Sequence, residues 1–136
     1  MRLAVLLSGV MALVATGAVT TLIAAEITKD SLEAVKKNVA AKKAVLVDVR
    51  EKSEWDEGHI EGSIFLPLSA LRKGVKKEQL AKVLPKERIL YTFCVVGKRA
   101  VTAGNILENS GYEVRALKPG YKQLVQAGFK KAKKKK

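Results

Sequence analysis

A single cysteine stands among the 136 residues, in the segment Cys94-Val-Val-Gly-Lys-Arg99. The apolar run Ile89–Phe93 leads straight into it, and a helical pattern follows from near Ala100. A strand, a tight loop and a helix N-terminus would gather several backbone N–H groups around one point, a concavity that favours negative charge. Gly97 lets such a loop curl without a Cβ penalty. Lys98 and Arg99 add two cations within five residues of the sulfur. Together these features favour the thiolate, which is the nucleophilic form of the side chain. Cys94 is therefore the candidate nucleophile, and Val95, Val96, Gly97, Lys98 and Arg99 are the candidate substrate-binding residues. The alternative is a buried cysteine acting as a small hydrophobe, which would suit mid-strand better than a place beside Gly-Lys-Arg.

Other residues that attract a functional label have plainer readings. His59, the lone histidine, could be imagined as a base for Cys94, but a structural turn is the better reading because one His without a partner is no triad. Asp48 and Arg50, at the end of an apolar run, either brace the active loop or form an internal ion pair. Trp55 reads as a core or staple residue. Glu78, Glu87, Glu108 and Glu113 sit among lysines and read as solvated faces.

Composition narrows the chemistry further. One cysteine excludes an intrachain disulfide and zinc sites built on paired cysteines, and one histidine leaves few metal ligands, so no metal or cofactor is called for. Lys and Arg number 26 against 13 Asp and Glu, a formal charge of +13, while 48% of residues are hydrophobic. The chain suits one small folded domain. The apolar residues are unevenly spread: Leu3 to Ala25 carries no charge, follows Arg2 and ends in Ala24-Ala25. This reads as an export signal cleaved to leave Glu26 first, or as an uncleaved anchor, since roughly 20 apolar residues span a bilayer. Either way residues 26–129 form the domain, outside the cytoplasm and periplasmic if the source is bacterial. Residues 130–136 hold six lysines and read as a solvated, disordered tail with possible contact to an anionic membrane surface. No aromatic residues interleave with them, which argues against nucleic acid.

Within the domain, short apolar runs alternate with helical patterns. Asp30-Ser31 supplies an N-cap for a helix to about Ala41, and Ala44–Asp48 is a buried strand. Ser53–Asp56 reads as a capping box for one helical turn closed by Gly58. Ser63–Leu66 is a short strand. One or two helices follow over Ser69–Val83, broken at Gly74 and stopped by Pro85. Ile89–Phe93 is the next strand, Thr102–Asn109 a helix ending at Gly111, Glu113–Leu117 a strand and Tyr121–Ala127 a last helix. The order predicts an α/β domain with a central parallel sheet, helices on both faces and a ligand crevice at the carboxyl ends of the strands.

From Ala44 to Phe129 the sequence resembles a single-domain rhodanese, a sulfurtransferase of the thiosulfate type. The resemblance is carried by Val45-Leu-Val-Asp-Val-Arg-Glu51, by Glu54-Trp-Asp-Glu-Gly-His-Ile-Glu-Gly-Ser-Ile64 with Leu66-Pro67, by the Cys94–Arg99 loop, and by Gly120-Tyr121 with Ala127-Gly-Phe129. It implies a rhodanese-like parallel sheet and a persulfide mechanism. Cys94 would take a sulfane sulfur from a small donor such as thiosulfate and pass it to a thiophilic acceptor, cyanide or a thiol, the domain acting as a monomer. Related folds with a Cys-x5-Arg loop cradle phosphate or arsenate, whereas the ring here is one residue shorter and suits sulfur. Ala100, Val95 and Val96 stand where family members often have polar residues, leaving fewer hydroxyls to bond a thiosulfate oxygen. Persulfide formation rests on backbone amides instead. Pro119-Gly120 replaces a frequent Gly-Gly, and Leu124 lies near the place of a usual tryptophan. The alternative function is a rhodanese-like module that carries sulfur or docks a partner without turnover.

Overall fold

The computed structural model describes residue 17 and residues 25–135. The expected export segment therefore lies outside the described residues, Gly17 and Ala25 excepted. Among the described residues no helix is long and apolar enough to cross a membrane.

Ten elements follow one another: α1 Leu32–Ala40, β1 Ala44–Asp48, α2 Lys52–Glu57, β2 Ile64–Phe65, α3 Leu68–Lys73, α4 Lys77–Val83, β3 Ile89–Phe93, α5 Lys98–Asn109, β4 Val114–Ala116 and α6 Tyr121–Gln126. The four strands form one sheet in the order β2-β1-β3-β4, and every pairing is parallel. Both faces are covered, which is why β1 and β3 read as continuous apolar runs rather than alternating ones. Val47, Leu90 and Cys94 face one core with Leu71, Leu80, Ala103 and Leu107. Leu46, Tyr91 and Phe93 face the other with Val35, Leu124 and Phe129. The expected α/β class and two-faced parallel sheet are present.

Local chemistry sets the boundaries. Ser31 Oγ accepts the Ala34 N–H at 3.1 Å and opens α1 as expected. At α2 the cap is different: the Glu51 N–H donates to Glu54 Oε1 at 3.1 Å, so the helix starts at Lys52, ahead of the box expected at Ser53–Asp56. The edge strands shrink to two residues in β2 and three in β4, against four and five expected. An edge strand has a ladder on one side only, so its ends lose pairing first.

Two further segments differ from expectation. Ile27 forms a parallel bridge with Ala116, and Thr28 N–H donates to Ala116 O at 2.8 Å, so residues 25–28 cover the open edge of β4. At the other end, Lys131 bridges Ile60 while Glu61 N–H reaches Lys130 O at 2.8 Å and Ala132 N–H reaches His59 O at 2.9 Å. Buried Phe129 anchors this stretch in the second core. The disordered tail expected from 130 is thereby corrected: the backbone stays paired as far as Ala132, although the lysine side chains are exposed.

Candidate active site

The sheet order places β1 between β2 and β3, so the chain leaves β1 toward one side and returns on the other. At such a switch point the carboxyl ends of neighbouring strands open a crevice. Asp48 is in register with Phe93, and Val49 N–H donates to Phe93 O at 3.1 Å. The next residue on β3's side is Cys94. Its side chain is 1% exposed, and Sγ accepts the Gly97 N–H at 3.2 Å.

Gly97 makes that contact possible. It has φ +96°, in the left-handed region, and is the N-cap of α5. A Cβ there would lie 3.1 Å from Ile27 Cδ1 and 3.2 Å from Lys118 Cα. Because this turn reverses the chain so sharply, α5 begins at Lys98, two residues before the expected start. Val101 N–H already closes the first helical bond on Gly97 O at 3.0 Å. Lys98 and Arg99 therefore lie in the first helical turn, whose N–H groups lack intrahelical acceptors and form the positive end of the helix dipole. Thr92 Oγ1 donates to Ala100 O at 2.9 Å and ties α5 to β3.

The far side of the loop rests on the start of α6. Tyr121 N–H donates to Cys94 O at 3.1 Å. Gly120 packs backbone to backbone here: a Cβ would lie 2.6 Å from Cys94 O and would collide with Val95 O. Arg50 braces the same corner. It is buried, donates from Nη2 to Asp48 Oδ2 at 2.7 Å and to Gly58 O at 2.8 Å, and lies 4.3 Å over the Tyr121 ring. Asp48 and Arg50 thus form the internal ion pair, and through Gly58 and Tyr121 that pair joins β1 to α2 and α6.

Beside the loop lies a cleft of about 420 Å³ lined by Arg50, Glu54, Gly58, Val95, Val96 and Tyr121 among others. A larger hollow of about 670 Å³ along α1 is lined by residues such as Ser31, Glu33 and Lys37 and lies away from the Cys94 loop.

The remaining candidates fall in different places. Val95 and Val96 are exposed at the loop tip, at 48% and 67%. Lys98 is exposed on the first turn of α5. Arg99 does not lie free beside the sulfur. Both of its terminal nitrogens are taken by Glu54 of α2, Nη1–Oε1 at 2.6 Å and Nη2–Oε2 at 3.0 Å. These bonds hold the Glu54 carboxyl below its ordinary range against the opposing effect of burial, and they raise Arg99 in turn. Sequence reasoning gave Glu54 no role, because a partner 45 positions away leaves no local spacing signal. His59 stacks on Trp55 with centroids 3.7 Å apart, and its Nδ1 is 3.2 Å from Trp55 O. His59 lies in the turn after α2 and is held there against Trp55 of the helix, in keeping with its structural reading.

The family model described as rhodanese-like domain matches residues 31–127. The chain belongs to the rhodanese-like family. As a rhodanese-like domain it is similar to a solved human single-domain sulfurtransferase, at 26% identity and a TM-score of 0.61, covering 71% of this chain and 94% of that one. It is 30% identical over 90 residues to the human thiosulfate:glutathione sulfurtransferase, covering 60% of this chain and 78% of that protein. A Mycobacterium tuberculosis protein named as an adenylyltransferase/sulfurtransferase is 36% identical over 73 residues, 54% of this chain. The rhodanese-like domain spans only 18% of that relative's length.

Proposed function

We propose that this rhodanese-like domain is a sulfurtransferase in which Cys94 carries the sulfur. The thiolate attacks the sulfane sulfur of a donor such as thiosulfate; the donor's S–S bond breaks and sulfite leaves with the electron pair, so Cys94 becomes a persulfide. An acceptor, cyanide or a thiol, then attacks the outer sulfur and Cys94 departs as the thiolate. The observation that carries this reading is the Gly97 N–H at 3.2 Å from Sγ in a loop closed by the N-terminus of α5. A fixed donor there, with the helix dipole behind it, favours anionic sulfur in both the resting and the persulfide state. The backbone supplies this stabilisation, while Arg99 supports the loop through Glu54. The test is intact-mass measurement after incubation with thiosulfate. One added sulfur, removed by cyanide, supports the reading; no adduct with any sulfane donor favours a module that binds without turnover.

As to place, we propose export through the apolar segment of residues 3–25, either cleaved after Ala25 or kept as an uncleaved anchor. Ala25 is 4% exposed, and its N–H donates to Asn105 Oδ1 at 2.5 Å, so cleavage after it would strip a packed residue from the edge of the domain. Amino-terminal sequencing of the native protein decides between the two forms.

A further inference from the structure

Among the described residues four large apolar side chains are exposed, and three of them gather at one place: Ile27 at 41%, Val95 at 48% and Val96 at 67%. Ile27 and Val96 line a hollow of about 660 Å³ together with Lys98 and Lys118. Val95 and Val96 also border the cleft beside Cys94, whose rim carries Lys122 and Lys131. All four lysines are exposed. Of the acids in that cleft, Glu54 is held by Arg99 and Glu57 stands alone among the cations. The sulfur lies under this surface at 1% exposure, so an acceptor must bring its own thiol down past the two valines.

Cyanide or another small anion needs none of this apolar area. Three exposed aliphatic side chains ringed by lysines match a larger partner of opposite charge that also offers aliphatic groups. We propose that the physiological acceptor is a protein thiol, its cysteine flanked by aliphatic residues within an acidic segment that docks across Ile27, Val95 and Val96. This rests on the sulfurtransferase reading for the transfer step alone. In that step the partner's thiolate attacks the outer sulfur of the Cys94 persulfide. The S–S bond breaks, Cys94 leaves as thiolate and the partner carries the persulfide, with no outside oxidant or reductant. The lysine rim speeds encounter and selects the partner's charge, and salt should weaken that contribution.

The experiment uses the full chain and three synthetic peptides, each with one central cysteine: one acidic with flanking leucines, one basic with flanking leucines, one acidic with flanking glycines. Docking is read by fluorescence anisotropy with labelled Cys-to-Ser versions on the sulfur-free protein, and transfer by loss of the added sulfur in intact mass. The acidic leucine peptide should bind and discharge the persulfide about tenfold better than either other peptide at low salt, and the gap should close as salt rises. Lys118→Glu with Lys122→Glu and Lys131→Glu should invert the order of acidic and basic leucine peptides, each rate being taken relative to that protein's own cyanide discharge. Equal binding of all three peptides overturns the proposal. So does loss of peptide binding on phosphatidylglycerol vesicles with none on phosphatidylcholine vesicles, which would make this face an anionic lipid contact. Failure of thiosulfate to add sulfur defeats the sulfurtransferase reading but leaves the anisotropy result to stand or fall by itself.

Discussion

Arg99 and Glu54 meet end to end, two parallel N–H to carboxylate bonds at 2.6 and 3.0 Å that join the first turn of α5 to α2. One of the two cations in the first turn of α5 is thus occupied by a carboxylate, and the pair holds the wall of the cleft against the loop. Fork-to-fork geometry of this kind fixes orientation as well as distance.

The pair has a pH signature. Glu54 is held below its ordinary 4.5, chiefly by the Arg99 hydrogen bonds. A depressed folded value means the contribution is fully present above about pH 4.5 and is lost as pH falls through the folded value. Both partners are about a third exposed, so solvent limits the size to less than about 1 kcal/mol. Melting curves of the wild type and Glu54→Gln should differ at neutral pH and converge in acid. A difference that stays constant through the acid range would show that Glu54 acts by packing instead.

Cys94→Ser should remove all persulfide formation and leave the fold standing. The substitution changes one atom in a side chain of similar size, so no large cavity opens, and the Gly97 N–H keeps an acceptor. Circular dichroism and the melting temperature should stay near wild type while the thiosulfate adduct disappears. Any adduct that survives places the sulfur elsewhere than on a cysteine thiol.

Gly120→Ala should harm activity more than fold. The added Cβ meets the carbonyl oxygens of Cys94 and Val95, backbone atoms that cannot rotate away, so the loop or α6 must shift. Overpacking of this sort costs about 1–3 kcal/mol. A shift of the loop also moves the Gly97 N–H away from Sγ. The rate of sulfur uptake from thiosulfate should fall at least about tenfold, the scale of losing one aligned donor in the reacting state. Wild-type uptake in this variant would show that the loop geometry is not what activates the sulfur.

What could be read from residues alone follows from where the signals lie. β1 and β3 have the limits their apolar runs predict, Ala44–Asp48 and Ile89–Phe93, because strands buried on both faces change hydropathy sharply at their ends. The end of β3 before Cys94, the turn at Gly97 and the following helix were legible for the same local reason. Arg99 was assigned from proximity in sequence, whereas its partner is set by how α2 packs on α5. The edge pairing of Ile27 and the bridge at Lys131 use backbone groups only, and backbone pairing leaves no trace in side-chain type. The lysines of the carboxyl terminus read as solvated because their side chains are, even where the main chain beneath them is bonded.

That last distinction divides the tail into two parts with different expected behaviour. Removing Lys133–Lys136 takes away four charges and none of the backbone bonds named above. Screening at moderate salt acts beyond about 8–10 Å, so thiosulfate uptake by Cys94 should be unchanged. Ending the chain at Phe129 goes further, since it also deletes the partners of the Glu61 N–H and the His59 carbonyl and breaks the Ile60–Lys131 bridge. Each lost hydrogen bond costs about 0.5–1.5 kcal/mol net, so the shorter chain should lose about 1–3 kcal/mol of stability. The turn after α2 that carries Gly58 and His59 loses these bonds, and through Gly58 O it holds Arg50. The Phe129-ended chain should therefore unfold at lower denaturant and also take up sulfur more slowly, while the chain ended at Ala132 matches the full protein in both. Equal stability of all three chains would mean that the bridge at Lys131 contributes nothing, and the ordered domain would then end at Phe129.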